Sequence, residues 1–273
     1  MNDIGIGNTL NQIVWTSRAA MFDQSEFAQL TYGAFDQAAQ RMNESGNEEF
    51  AVTFPAGYLA DHTTIPFTRT YKKDQLLGRY QYLAFHQLSI NLIFQLVTLV
   101  ESMLSDILRH IVVRYPRKLG AKRQIQLQHL LESQTIEEVH LRATDALVNE
   151  LSFKSPADFA ITFEELTGVR LLECPAFHRY IEVKATRDVY IHNRGVANDT
   201  YVRKAGSHAR TRAGSQVHVD IQYFLESYEC CLQVVDWLEL ELHTRWHSSE
   251  YELRNQTAQL PLSNEEQRVK TEK

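Results

Sequence analysis

The sequence has no CxxC pair, no long uninterrupted apolar run, no internal repeat and no low-complexity tract. Each absence narrows what the chain can be. Cys174, Cys230 and Cys231 supply neither a disulfide framework nor a zinc-ligand spacing. The adjacent pair Cys230 and Cys231 would point in different directions on a helix, which fits core packing in a reduced compartment. The longest apolar stretch, Leu88 to Val100, is interrupted by Ser89, Asn91, Gln95 and Thr98 and is too short and too polar to span a bilayer. The opening Met1-Asn2-Asp3 lacks the basic, then apolar, then small-residue order of a secretory signal. A cytoplasmic protein without membrane contact is the expectation. Positive charge is also scarce: 28 Lys and Arg against 34 Asp and Glu give a formal charge of −6. Any contact with a polyanion must therefore come from local basic patches.

What is present is an ordinary globular composition, 44% apolar and 23% charged, which argues against disorder and against a fibre. The length fits one large domain or a core domain with appendages. Residues 1–73 read as an N-terminal extension, with a helix from Ser17 through Phe22, Phe27, Leu30 and Phe35, then Gly46 to Thr70 as loop or short strand. Helical periodicity becomes regular near Asp74. It turns almost wholly apolar from Leu88, returns to one face at Val100, Met103, Leu104, Ile107, Leu108 and Ile111, and ends before Pro116. Thr135 to Glu138 has the form of a capping box. Ser155-Pro156 reads as an N-cap followed by proline at the first helical position, with Gly168 as the stop. Pro175 opens a helix to His192, and Gly195 lies beyond it. A last long helix covers about Val217 to His247. The predicted class is all-α, a bundle of four to five main helices over 74–249, followed by a polar tail over 250–273.

One predicted helix end carries chemistry. Arg187 and His192 are five apart, roughly 140° around a helix, whereas Asp188 and His192 are four apart and can face each other. An imidazole there can move protons to or from a ribose hydroxyl or a leaving oxygen, and a guanidinium can hold a phosphate and the charge that grows on it. Spacing alone is a weak signal, because Arg79/His86, Arg123/His129, Arg203/His208 and Arg212/His218 fit it as well. Context separates the 187–192 copy. Asp188 follows the arginine, Val189 and Ile191 are apolar, and Asn193, Gly195 and Tyr201 continue the pattern.

In these residues the chain resembles the HEPN superfamily of helical ribonucleases, marked by Arg, four to six residues, then His, with a polar residue after the arginine. Leu96 to Ile111 is similar to an early family helix that commonly carries an acid where Glu101 stands. The resemblance runs from about Asp74 to His247 and implies a HEPN-like bundle acting as a metal-independent endoribonuclease without cofactor. It also implies a homodimer, in a toxin–antitoxin or anti-phage defence setting. His192 would carry protons, Arg187 would clamp phosphate and Asp188 would orient the imidazole. Asn193 and Arg194 would place RNA, and Glu101 would support the site. Arg194 stands where the subgroup paired with a nucleotidyltransferase antitoxin carries tyrosine, so the resemblance does not extend to that partnership.

Three further features have two readings each. Thr200 to Val219 holds no acid but contains Arg203, Lys204, Arg210 and Arg212. With Arg194 and Tyr201 this is either an RNA-binding track or a solvated loop. Ile107 to Leu131 is a second such island, with Arg109, Arg114, Arg117, Lys118, Lys122 and Arg123. His243 and His247 are four apart, a chelating spacing, but with no third ligand at a recognisable interval they read as solvated or capping histidines and no metal site is assigned. The expected partners are RNA, a second copy of the chain, and an antitoxin or other defence protein. The alternative to the enzyme is a non-catalytic helical interaction module in a defence or regulatory complex.

Overall fold

The computed structural model describes residues 4–120 and 131–258. Lys122, Arg123 and His129 of the first basic island and residues 259–273 of the expected tail lie outside them. The described chain is mostly helical, as its periodicity predicts. Helix α1 spans Ile4–Glu44 and is followed by a hairpin, β1 Glu49–Tyr58 and β2 Thr64–Lys72, paired antiparallel with Phe54 opposite Phe67. Then come α2 Lys73–Gln81, a π-helical turn Tyr82–Gln87, and α3 Leu88–Arg114. Helices α4 Ile136–Ser152, α5 Pro156–Thr167 and α6 Pro175–Asn193 succeed them. The series closes with α7 Asp199–Ala205, α8 Ile221–Arg245 and α9 Ser249–Ala258.

Local chemistry sets these boundaries. Thr135 accepts the Glu138 N–H at the start of α4, and Ser155 accepts the Asp158 N–H at the start of α5. Such caps satisfy backbone donors that the first helical turn leaves orphaned. Gly168 ends α5 at φ 82°, where a side chain would be strained. Helix α8 begins at Ile221, four residues later than periodicity predicts, because the Asp220 carboxylate accepts the Tyr223 N–H and caps it there. Val217 is held in an extended run, its N–H donating to Gly195 O.

Two compact units form, each built from separated chain segments. The first takes residues 4–19, 99–120, 131–181 and 230–258 of the described chain, and the second takes 20–98 and 182–229. Residues 4–19 thus fall in the first unit and residues 20–73 in the second. In the first unit, α1 approaches the end of α8 closely enough that a Cβ on Gly7 would collide with the carbonyls of Trp246 and His247. Arg18 bridges Asp236 at 2.7 Å and Glu239 at 2.8 Å. In the second unit Tyr32 stacks on Phe85, with its hydroxyl 3.1 Å from Ser89. Ala185, Val189, Ala197, Tyr201, Ala205 and Val217 form a buried cluster beneath the end of α6.

The continuous helical stretch Lys73–Arg114 is long and apolar enough, by length and composition, to cross a membrane. A core helix meets the same criteria. Leu92, Ile93, Leu96, Val97 and Val100 are buried within the fold.

Candidate functional site

The end of α6 lies in the second unit, and its geometry starts from two consecutive left-handed residues. Arg194 has φ 52° and Gly195 φ 80°, which stop the helix sharply. Gly195 N–H donates to Val189 O at 3.0 Å. The Asn193 side-chain amide donates to Val196 O at 2.6 Å. A Cβ on Gly195 would come within 2.8 Å of the Tyr190 ring and closer still to the Gln216 amide. Tyr190 donates to Val217 O at 2.7 Å, and Gln216 donates to Arg194 O at 3.2 Å. The helix end is thereby fixed to the extended segment that precedes α8.

On this frame Arg187 and Asp188 are largely covered, their side chains 18% and 25% exposed. The Asp188 carboxylate lies 3.5 Å from Arg187 Nε and accepts from Lys204 Nζ at 3.3 Å. The carboxylate expected to orient the imidazole turns to Arg187 and Lys204 instead. Two cations close by are the stronger partners for an anion than an exposed ring one turn away. His192 is exposed at the last turn and makes no hydrogen bond among the described residues. Asn193, expected to place substrate, uses its amide to lock the turn.

On the same helix, five residues before Arg187, is a buried group that the sequence reading missed. Glu182, 5% exposed, accepts hydrogen bonds from Thr186 (2.7 Å), Tyr201 (2.8 Å) and Tyr223 (3.0 Å). Burial pushes its carboxyl above the ordinary value of 4.5, against the pull of these three donors and the Arg210 charge. Desolvation and the neighbouring carboxylate push the Tyr201 hydroxyl up to about 12. A signal for Glu182 existed in the spacing: residues 182, 185 and 189 share one helix face, and Ala185 and Val189 are buried.

The second basic island is reorganised by the fold. Tyr201, expected to meet RNA, is 1% exposed with its hydroxyl on Glu182. It is a core residue, because Asn198 caps α7 and aims Tyr201 inward. Arg210 pairs with Glu226 at 3.1 Å and covers the Tyr223 ring at 4.3 Å. Lys204 serves Asp188. Arg194, Arg203 and Arg212 remain exposed, and Arg203 is 3.5 Å from the Thr200 hydroxyl. In the first island Arg109 binds Asp106 and Asp145, and Lys118 lies over the Trp246 ring. Glu101 is half-buried on the part of α3 that belongs to the first unit.

That unit also gathers His243, His247 and Glu252, with donor atoms within 4.8 Å of one another, the one such group of three among the described residues. His243 Nδ1 accepts the Ser248 N–H at 3.2 Å. This polarity is opposite to that of a metal-bound histidine, whose second nitrogen donates its proton to an acceptor. The fold supplies Glu252 as a third donor that the sequence spacing did not show.

Searches of protein-family models, curated proteins and solved structures find no match to this chain.

Proposed function

We propose that this protein is a cytoplasmic endoribonuclease that needs no metal, with its site at the end of α6. The observation that carries the reading is a division of labour there. Arg187 is mostly covered and paired with Asp188, while His192 is exposed five residues on. A guanidinium fixed in place suits a phosphate whose charge grows in the transition state, and a free imidazole suits proton transfer. In the reaction His192 takes the 2′-hydroxyl proton and O2′ attacks phosphorus. The P–O5′ bond breaks, and the protonated His192 imidazole returns that proton to the leaving 5′-oxygen. The products are a 2′,3′-cyclic phosphate and a 5′-hydroxyl.

The resemblance in the motif adds a HEPN-type assignment, a defence or toxin setting with an antitoxin or other defence protein as partner, and a homodimer. In the dimer two α6 ends would form a composite site. Asp188 and Lys204 act as positioning residues for Arg187. Identifying the termini of cleaved RNA tests the chemistry: a cyclic phosphate is expected, whereas 5′-phosphate products would require an attacking water and a different mechanism. A partner-binding role has one observation of its own. The hairpin leaves Phe54, Tyr58, Ile65 and Phe67 exposed, and exposed apolar groups of this kind often mark docking surfaces.

A further inference from the structure

We infer that Tyr82, His86 and His218 form a stacking platform for the unpaired bases of single-stranded RNA, an inference that rests on the ribonuclease reading above. The π-helical turn Tyr82–Gln87 interrupts an otherwise α-helical stretch, a deviation that tends to occur at functional sites. It sets the Tyr82 and His86 rings 5.5 Å apart. The His86 ring in turn lies 6.3 Å from His218 at an interplanar angle of 19°. The Arg79 guanidinium sits 5.5 Å from the Tyr82 ring centre.

The rings are built in, not adventitious. His86 Nδ1 is 2.8 Å from Val219 O. A carbonyl only accepts, so Nδ1 carries the proton in this bond and Nε2 of the neutral ring is left as an acceptor. The segment Val217–Val219 is gripped at both ends, since Val217 O accepts from Tyr190 and Val219 O from His86. Its two valines are buried, so the residue between them is turned outward. His218 has a side chain 79% exposed, with Nε2 3.4 Å from Asp220. Tyr82 is 46% exposed.

Position and charge select the occupant. Gln216, two residues before His218, bonds to the carbonyl of Arg194, two residues after His192. His192, Asn193, Arg194, Gln216 and His218 are all exposed, and the Gln216 bond ties the segment that carries His218 to the turn that follows His192. The chain is acidic, and Lys204 and Arg210 of the basic island are engaged internally. Arg194, Arg203 and Arg212 are the cations left exposed around this segment, so phosphate neutralisation is limited and affinity for RNA draws on a second source as well. Stacking on exposed rings supplies it without regard to sequence, and only an unpaired base has free faces to offer.

The test measures binding of a fluorescein-labelled single-stranded RNA, and of its duplex, to the full chain carrying His192→Ala. Tyr82→Ala and His218→Ala should each weaken single-strand binding roughly fivefold to a hundredfold, and Tyr82→Phe and His218→Phe should restore it. Tyr82→Ala should leave the salt dependence unchanged, because no phosphate contact is lost. Equal losses on duplex and single strand would overturn the platform. If the wild-type chain cleaves RNA while both alanine variants bind like the parent, the platform is wrong and the ribonuclease reading stands. If the wild-type chain neither binds nor cleaves RNA, both fail together.

Discussion

At the residue scale, Arg187 and His192 differ in what their removal should cost. His192 is exposed without a hydrogen bond among the described residues, so His192→Ala should abolish cleavage and change stability by less than about 0.5 kcal/mol. Arg187 is mostly covered and faces Asp188. Arg187→Ala should also abolish cleavage but lower stability by about 1–2 kcal/mol, since it strands a partly buried carboxylate that only Lys204 then offsets. Thermal unfolding of the two variants side by side checks the contrast. Glu182 gives a prediction in pH. Its folded carboxyl titrates above 4.5, so the folded state holds the proton more tightly than the unfolded chain. That contribution is full below about pH 4.5 and is lost as the pH rises through the elevated folded value. Glu182→Gln should flatten this part of the stability profile, so that wild type loses ground to the variant as the pH rises above about 4.5. Denaturant titrations across that range would show it, and parallel profiles would mean that Glu182 is ionised as easily in the fold as outside it. Tyr223→Phe removes one donor to the same carboxylate and should cost about 1–3 kcal/mol.

At the element scale, the close of α6 depends on Gly195. Gly195→Ala would force a side chain into a left-handed position against the Tyr190 ring and should destabilise by about 1–3 kcal/mol. It should also reduce cleavage, because Arg194 and Gln216 would be displaced beside His192. A variant as stable and active as wild type would contradict the role given to this turn. Elements with strong local signals were legible in the sequence: the Ser155 cap, the Gly168 stop, and α6 from Pro175. Others were hidden for physical reasons. Helix α1 begins at Ile4, well before the expected Ser17, because Gly5, Gly7 and Asn8 carry little helical periodicity; close packing of Gly7 on the 246–247 backbone holds this part in place. The hairpin showed no alternation because both its faces are mostly exposed, and alternation appears only when one face is buried. The basic island misled because charge along a chain does not reveal which cations an acid elsewhere will claim. Glu226, on α8, claims Arg210.

At the scale of the whole molecule, the proposed composite site would take two copies of the chain. Arg187 and His192 diverge by about 140° around α6, and a two-fold axis would bring a second pair to one phosphate. Exposed Ile191, next to His192, offers apolar surface for that contact. Mixing His192→Ala chains with wild type at constant total concentration should lower activity more steeply than the wild-type fraction. A linear decline would mean that each subunit works alone. The most direct measurement is cleavage of single-stranded RNA by wild type and by His192→Ala, each with and without EDTA. Wild type should cleave equally in both conditions, leaving a 2′,3′-cyclic phosphate, and the variant should be inert in both. Cleavage by His192→Ala at the wild-type rate, or loss of wild-type activity in EDTA with rescue by a divalent ion, would contradict the proposed metal-independent site.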